Sequence, residues 1–222
     1  MATDHGPGAE QGSDPRIAIR EGVAKLGQRL DERQLGQLVT LLGELGRWNR
    51  RFNLTAIRDP AETVAGHVLD SLSVRPYLHG PRIIDVGTGA GFPGLPLAVV
   101  EPDMHFTLLD SVGKKIRFVD HAIGMLGLAN AKAVNARAED YAPGIRFDTV
   151  IARALAAIPR LVRLAGHLVE EGGQFLALKG KYPAEELEAI QSLPEWEYSV
   201  IKLSVPGLEA HERHVIQLKR TT

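Results

Sequence analysis

Three glycines alternate with other residues directly after a short apolar run. The run, residues 83–86, contains Asp85, and Gly87, Gly89 and Gly91 follow it ahead of a helical stretch. Glycine tolerates a sharp turn and lets a ligand approach the backbone, and the free N–H groups of a following helix attract negative charge. The segment therefore predicts a ligand-binding turn at the carboxyl end of a strand.

Two registers of this turn indicate two different ligands. Gly89, Gly91 and Gly94 have the spacing of the dinucleotide fingerprint, which alone is a weak indication. Asp85, two residues before the first of three alternating glycines, gives instead the pattern of S-adenosylmethionine-dependent methyltransferases. The dinucleotide match would begin four residues after Asp85, too late for the junction of strand and turn. The second register is favoured, and a nicotinamide nucleotide stays open as the alternative.

Two acidic residues after the next predicted strands suit an adenosine. Asp110 closes the second strand, 23 residues after Gly87, where a carboxylate can accept hydrogen bonds from both ribose hydroxyls. Glu139 follows the third strand, where an adenine amino group is expected. The alternatives are a helix N-cap for Asp110 and a surface acid for Glu139. Both cofactors contain this ribose, so the two acids support a nucleoside site without separating the cofactors.

The elements that must position these residues are short strands that alternate with helices. The predicted strands are 82–86, 106–110, 131–135, 147–152 and 174–179, and the predicted helices are 93–100, 113–127, 158–170 and 183–192. Two last runs, 198–203 and 213–219, have no helix between them, which predicts an antiparallel pair at one edge. This alternation predicts an α/β fold with a largely parallel, doubly wound, Rossmann-like sheet that is covered on both faces.

Upstream of the sheet we expect a tail and a helical segment. Residues 1–16 are rich in Gly, Pro and acids and lack periodicity, which predicts a disordered tail. Residues 17–78 are predicted to be helical, since Asp31 and Gln34 form a capping signature and leucines follow at three- to four-residue spacing. Residues 79–222 then form the predicted ligand-binding core.

Composition excludes several classes of protein. Among 222 residues, 26 basic and 27 acidic ones leave a net charge of −1, so no global basic field indicates a nucleic-acid partner. The lack of cysteine excludes disulfides, thiolate nucleophiles and cysteine-bound zinc. Apolar stretches such as 95–100 are too short for a membrane span, and acids near the start argue against a signal peptide. We expect a cytoplasmic protein without a membrane partner.

Basic residues interleaved with aromatic ones occur in the helical segment, and further basic residues follow the second and fifth strands. Such groups can hold a phosphate backbone and stack an unpaired base, although each cluster alone is more often a solvated face. If they bind RNA, the affinity should fall steeply with salt. The residues are Arg47, Trp48, Arg50, Arg51, Phe52, Asn53, Arg58, Lys114, Lys115, Arg117, Lys179 and Lys181.

His67, Asp70 and Ser71 are spaced to share one face of a helix. They either fasten the helical segment to the sheet or form a wall of a base-binding pocket, and the sequence leaves both readings open. One histidine and one aspartate are too few ligands for a metal, and His211 and His214 lack a third partner in the sequence. We therefore expect no metal site.

Segments spread over about residues 30–219 match one known family in sequence and in order. They are Trp48-Asn49-x-x-Phe52-Asn53-Leu54-Thr55, His67-x-x-Asp70-Ser71, the turn from Asp85 to Gly94, Leu109-Asp110-Ser111, Ala152-Arg153-Ala154 and Leu178-Lys179-Gly180. Together they resemble the bacterial small-subunit ribosomal RNA guanine-N7 methyltransferases, also called the glucose-inhibited division protein B family. The extra tail, and Ala152 where many relatives have serine, depart from the family without touching the glycine turn.

The resemblance implies a class I methyltransferase that moves a methyl group from S-adenosyl-L-methionine to N7 of a guanine in the 530 loop of 16S ribosomal RNA. The partner would be this RNA, the small ribosomal subunit or its assembly intermediate, and we expect a monomer. The resemblance implies that the cofactor is bound by Gly87, Phe92, Ala138, Glu139 and Arg153. We include Gly89 because it belongs to the glycine turn, and Asp110 because it stands at the ribose-binding position. The candidate RNA positions are Asn53, His67, Lys114, Arg117 and Lys179.

The chemistry of this reaction fits the residues. Guanine N7 has a free lone pair and can attack a sulfonium methyl without losing a proton, so no general base is required. Alignment of the reacting atoms contributes up to about 7–11 kcal/mol. Arg153 and Lys179 are candidates to orient guanine O6 or a phosphate. A catalytically inactive RNA-binding module that retains the pocket is a further alternative.

Overall fold

The computed structural model describes residues 14–153, 155–190 and 193–220, so most of the predicted tail, residues 1–13, lies outside the described residues. The first helix, α1 (Pro15–Lys25), begins two residues before the predicted helical segment. Asp14 explains this start, because its carboxylate accepts a hydrogen bond from the Arg16 amide at 2.9 Å. Proline at the first helical position needs no amide partner and adds to the start signal.

The remaining elements follow the predicted alternation. The helices are α2 (Glu32–Phe52), α3 (Pro60–Thr63), α4 (Asp70–Leu72), α5 (Gly94–Val100), α6 (Gly113–Leu126), α7 (Ile158–Ala165) and α8 (Ala184–Ile190). A π-helical segment, Val64–Leu69, joins α3 to α4, and 3₁₀ turns lie at Arg75–Tyr77 and Gly166–Leu168. The strands are β1 (Arg82–Val86), β2 (His105–Asp110), β3 (Ala131–Asn135), β4 (Phe147–Arg153), β5 (Val169–Lys179), β6 (Trp196–Lys202) and β7 (His214–Arg220).

The strands form one sheet in the order β3-β2-β1-β4-β5-β7-β6. Strands β1 to β5 pair in parallel, whereas β7 runs antiparallel to both β5 and β6. This arrangement confirms the predicted doubly wound α/β sheet and its antiparallel edge pair. The strand order reverses between β1 and β4, so a crevice is expected beyond their carboxyl ends.

The predicted capping box at the start of α2 is present. The Asp31 carboxylate accepts from the Gln34 amide at 2.7 Å, and the Gln34 side chain accepts from the Asp31 amide at 3.0 Å. Buried leucines of α2, such as Leu38, pack in one hydrophobic core with Leu95 of α5 and Phe118 of α6. The helical segment is therefore fastened to one face of the sheet, while α7 and α8 cover the other face.

The prediction for the approach to β5 is wrong. The helix predicted over 158–170 ends at Ala165, and β5 begins at Val169 rather than at residue 174. The charged and glycine-rich start of β5 lacks the apolar alternation of a strand, yet Val169 pairs with Phe147 of β4 before the register shifts. Among the residues that the structure describes, no helix is long and apolar enough to cross a membrane.

Candidate active site

The glycine turn after β1 has the predicted backbone. Gly87, Gly89 and Gly91 have φ values of 71°, 63° and 87°, a region that side chains other than glycine rarely adopt. At Gly87 a Cβ atom would also lie 2.8 Å from the side chain of Leu155, which follows β4. The turn therefore needs glycine there for its conformation and for the close approach of neighbouring groups.

Asp85 holds this turn from inside the protein. Its buried carboxylate accepts a hydrogen bond from the Thr88 hydroxyl at 2.6 Å and from the Gly94 amide at 2.9 Å, both through Oδ2. Its Oδ1 has no hydrogen-bond partner within the described part of the chain. Burial raises the pKa of Asp85 to about 6, although both hydrogen bonds act in the opposite direction. This residue fixes the start of α5 against the end of β1.

The burial of Asp85 predicts a pH dependence of stability. Because folding raises its pKa from 3.8 to about 6, the folded protein binds this proton more tightly, and the free energy of unfolding falls as the pH rises through this window. The loss approaches about 3 kcal/mol above pH 6. Asp85→Asn keeps an oxygen acceptor and does not titrate. Urea unfolding at several pH values should show the variant gaining on the wild type by up to about 3 kcal/mol between pH 4 and 6, and a pH-independent difference would contradict this.

Asp110 reaches the same turn from the neighbouring strand. Its Oδ2 accepts a hydrogen bond from the Gly89 amide at 3.0 Å, and its Oδ1 accepts one from the Val112 amide at 2.8 Å. Val112, not Asp110, is the N-cap residue of α6, so the N-cap alternative for Asp110 is wrong. Each carboxylate oxygen has a further lone pair, so both can still accept a hydrogen bond from a ligand hydroxyl.

A cavity of about 1010 Å³ lies at the carboxyl ends of the central strands. This volume is sufficient for a nucleoside-sized ligand together with a second group. The predicted cofactor residues all line it: Gly87, Gly89, Phe92, Asp110, Ala138, Glu139 and Arg153. Of the candidate RNA residues, His67 and Lys179 also line it, whereas Asn53, Lys114 and Arg117 lie outside its lining.

The cavity lining also includes Leu155, which no sequence pattern indicated. Its side chain packs over Gly87, and the residue as a whole is 42% exposed. The nicotinamide alternative would need a reducing group near the cofactor, such as a tyrosine followed four residues later by a lysine. An expectation that the sequence lacks such a pair is wrong, because Tyr198 and Lys202 have this spacing, but both lie on the edge strand β6 and outside the cavity lining. They therefore do not support the nicotinamide alternative.

Arg153 connects the end of β4 to the helical segment. Its Nη1 donates to Asp70 Oδ2 at 3.0 Å and to the Gly66 carbonyl at 3.2 Å. Arg213 donates to the other oxygen of Asp70 at 3.0 Å. The side chain of Asp70 is 8% exposed, and those of the two arginines are about a quarter exposed. One carboxylate with two guanidinium groups leaves a net charge of +1 on this cavity wall.

The helical stretch that presents His67 is continuous but irregular. Because Val64–Leu69 is π-helical, the regular helical spacing predicted for His67, Asp70 and Ser71 does not apply. His67 and Asp70 line the cavity, whereas the Ser71 hydroxyl donates to the His67 carbonyl and Ser71 is fully buried outside the lining. Of the three residues, His67 and Asp70 therefore form part of the cavity wall, and Ser71 packs behind it.

The imidazole of His67 forms an uncharged part of this wall. It stacks on Phe92 with ring centroids 4.5 Å apart, and its Nε2 lies 3.1 Å from the Thr55 hydroxyl. Its Nδ1 is buried and has no partner among the residues described. Burial, assisted by the positive charge of Arg153, lowers the pKa of His67 to about 4. The ring is therefore neutral at neutral pH.

Lys179 lies at the cavity but is already paired. Its ammonium group donates to the Ala156 carbonyl at 2.8 Å and lies 2.8 Å from Glu186 Oε2, and its side chain is only 13% exposed. Its charge is balanced before any substrate binds. Arg153 shares the single carboxylate of Asp70 with Arg213, so its charge is not fully balanced and it is the stronger of the two candidates for orienting a substrate group. No group of three or more potential metal ligands occurs within residues 14–153, 155–190 and 193–220.

Solved structures with the same fold are methyltransferases. A putative O-methyltransferase from Klebsiella pneumoniae has a TM-score of 0.60 at 14% identity, over 92% of this chain and 97% of that chain. An O-methyltransferase from Bacillus cereus in complex with SAH has a TM-score of 0.59 at 16% identity, over the same shares of 92% and 97%. These likenesses show that the chain has the Rossmann-like fold of class I methyltransferases.

Within this class, the chain belongs to the GidB family, rRNA small subunit methyltransferase G, whose family model matches residues 34–216. A relative from Idiomarina loihiensis, named ribosomal RNA small subunit methyltransferase G, is 48% identical over 192 residues, which are 86% of this chain and 93% of the relative. A relative of the same name from Psychromonas ingrahamii is 47% identical over 208 residues, 92% of this chain and 100% of the relative. The predicted family, fold and cofactor are confirmed.

Proposed function

We propose that this protein transfers a methyl group from S-adenosylmethionine to N7 of a guanine in the 530 loop of 16S ribosomal RNA. The family to which the chain belongs supports ribosomal RNA as the substrate class. The observation that carries the finer proposal is the cavity, in which the glycine turn faces a wall built from His67, Asp70 and Arg153. When bound, S-adenosylmethionine supplies an electrophilic methyl group, and the wall holds the guanine.

The cofactor side of the cavity is formed by loops after β1, β2 and β3. Gly87 permits a close backbone approach, and Asp110 accepts hydrogen bonds from the ribose hydroxyls through its free lone pairs. Glu139 follows β3 at the adenine end, where its carboxylate is 3.5 Å from Arg137 Nη1. Phe92 contributes an apolar surface below the turn, since it is buried against His67.

The titratable groups on the substrate side are suited to holding a base rather than to accepting a proton. Asp70 already binds two arginines, and the pKa of His67 lies at about 4. Arg153 uses only Nη1 for its contacts in the described part of the chain, so its other N–H groups can donate to guanine O6. Asp70 also limits the positive charge of the wall, which favours a purine that becomes cationic on methylation. These features agree with direct attack by N7 without a general base.

The RNA backbone is proposed to cross the rim formed by the end of α2 and the start of α6. Arg50, Arg51, Lys114 and Arg117 are exposed there. Within the described part of the chain these four side chains form no ion pair, so their charge is available to phosphate groups. The 16S ribosomal RNA, free or within the small subunit or its assembly intermediate, is the proposed partner of a monomeric, cytoplasmic enzyme.

The experiment that tests this function uses labelled S-adenosylmethionine with 16S ribosomal RNA and small ribosomal subunits from cells that lack the protein. Nucleoside analysis should find the label in 7-methylguanosine, and nuclease protection should map it to the 530 loop. Subunits from cells that contain the protein are the control, because they should already be methylated and accept little label. Label in another nucleoside, or no transfer to either substrate, would contradict the proposal.

A further inference from the structure

Phe52 is an exposed aromatic ring that neither side of the cavity uses. It is the last residue of α2, it is 40% exposed, and it lies outside the cavity lining. Its ring packs against Trp48 with centroids 5.4 Å apart and an interplanar angle of 40°. One part of the ring is therefore supported by the protein, and the rest is open to solvent.

Behind Phe52 lies a packed cluster of aromatic rings. Trp48 contacts Phe118 at 5.5 Å and His121 at 5.2 Å between ring centroids, and Phe118 is a fully buried residue of α6. The aromatic cluster thus joins the end of α2 to the core beneath α6. A ring fixed in this way loses little side-chain entropy when a ligand stacks on it.

Phe52 lies next to the cavity mouth, and residues of two neighbouring segments show this. Along its own chain, Leu54 and Thr55 already line the cavity, two and three residues further on. Across from it, the Lys114 ammonium donates to the Phe52 carbonyl at 3.0 Å, and the adjacent Lys115 lines the cavity. The ring is therefore close to the path of any strand that enters the cavity from the rim between α2 and α6.

Basic residues are close to Phe52 along the chain. Arg50 and Arg51 belong to the last turn of α2, are exposed, and have no acidic partner in the part of the chain that the structure describes. Asn53 has a left-handed backbone with a φ of 48° and ends α2, and its side chain accepts from Arg58 at 3.0 Å. An exposed aromatic ring among cations suits an unpaired base flanked by phosphates.

We propose that Phe52 stacks an unpaired RNA base that neighbours the target guanosine, while Lys114 and Arg51 bind the flanking phosphates. The inference rests on the proposed function, because it requires RNA as the substrate. It adds a second nucleotide subsite outside the cavity, which accepts any base because every base has a π face. The enzyme thereby holds the strand at two points, the stacked base and the guanine in the cavity.

Two substitutions separate stacking from packing. Phe52→Leu keeps an apolar contact with Trp48 but has no π face, whereas Phe52→Trp keeps the π face. We expect Phe52→Leu to raise the KM for RNA roughly 5- to 150-fold with kcat and cofactor affinity unchanged, and Phe52→Trp to behave like the wild type. Tyr198→Leu is the matched control, since Tyr198 is an aromatic residue with 39% exposure on the far edge strand β6, and it should change neither constant.

A fluorescence measurement tests the contact without relying on turnover. RNA of the 530 loop carrying 2-aminopurine beside the target guanosine should lose fluorescence on binding to the wild type and to Phe52→Trp, because a stacked 2-aminopurine is quenched. Phe52→Leu should leave the signal bright at saturating protein. Two results would overturn this inference but leave the proposed function intact. In the first, the wild type transfers the methyl group but quenches 2-aminopurine at neither neighbouring position. In the second, the wild type transfers the methyl group and Phe52→Leu has the same KM for RNA as the wild type. Absence of transfer by the wild type would overturn the proposed function and the inference together.

Discussion

Asp110→Ala is expected to weaken the binding of S-adenosylmethionine by roughly 100-fold or more. Hydrogen bonds to a charged group contribute about 1.5–3 kcal/mol each, and Asp110 is proposed to accept two from the ribose. The same carboxylate accepts from the Gly89 and Val112 amides, so its removal also leaves these two amides without their side-chain acceptor. Both losses act on the cofactor side of the cavity.

Isothermal titration of the folded variant with S-adenosylmethionine measures this effect directly. Asp110→Asn should fall between the wild type and Asp110→Ala, because an amide oxygen retains one acceptor without the charge. Asp120→Ala is the matched control, since Asp120 is an exposed aspartate within α6. This variant should bind S-adenosylmethionine with the same dissociation constant as the wild type. A dissociation constant for Asp110→Ala within about threefold of the wild type would show that Asp110 does not bind the ribose.

The parts of this structure that the sequence predicts well are those that depend on neighbouring residues. The glycine turn, Asp110 at the end of β2 and the capping box of α2 are each encoded within a few positions. The doubly wound, largely parallel sheet could be expected because short buried strands alternating with helices have few ways to pack. Local pattern and fold therefore lead to the same cofactor site.

The parts that the sequence does not predict depend on contacts between distant residues. Arg213 binds Asp70 across 143 positions of sequence, and nothing near Arg213 distinguishes it from a surface arginine. Lys179 and Glu186 are only seven positions apart in sequence, but they can pair only because α8 folds back towards the end of β5. The sequence made Lys179 a candidate to orient guanine O6 or a phosphate, and tertiary packing pairs its charge with Glu186.

The π-helical segment shows a second limit. Hydrophobic periodicity indicates a helix between Pro60 and Leu72, but it does not distinguish 3.6 residues per turn from the wider turn of Val64–Leu69. His67 and Asp70 nevertheless both line the cavity, while Ser71 faces the protein interior. Sequence alone therefore indicates that this stretch is near the site, and the structure decides which side chains belong to it.

Asp70→Ala is expected to lower the turnover of methyl transfer by roughly 100-fold, with S-adenosylmethionine affinity within about threefold of the wild type. Without this carboxylate, Arg153 and Arg213 lose their common anchor, and two guanidinium groups face each other across the cavity wall. A displacement of about 1 Å at an orienting group is enough for a loss of this size. Single-turnover kinetics with saturating RNA measure the step without product release.

Stability and orientation can be separated in the same variant. Because both arginines are about a quarter exposed, solvent screens their repulsion, and the unfolding free energy should fall by only about 1–3 kcal/mol. The variant should therefore be folded at 25 °C, so that a loss of turnover reports on the position of Arg153. Arg153→Ala should show the same loss, and the double variant should be no slower than either single one, since both act on one contact. If Arg153→Ala keeps both cofactor affinity and turnover, Arg153 does not orient the guanine, and the ion pair only fastens β4 to the helical segment.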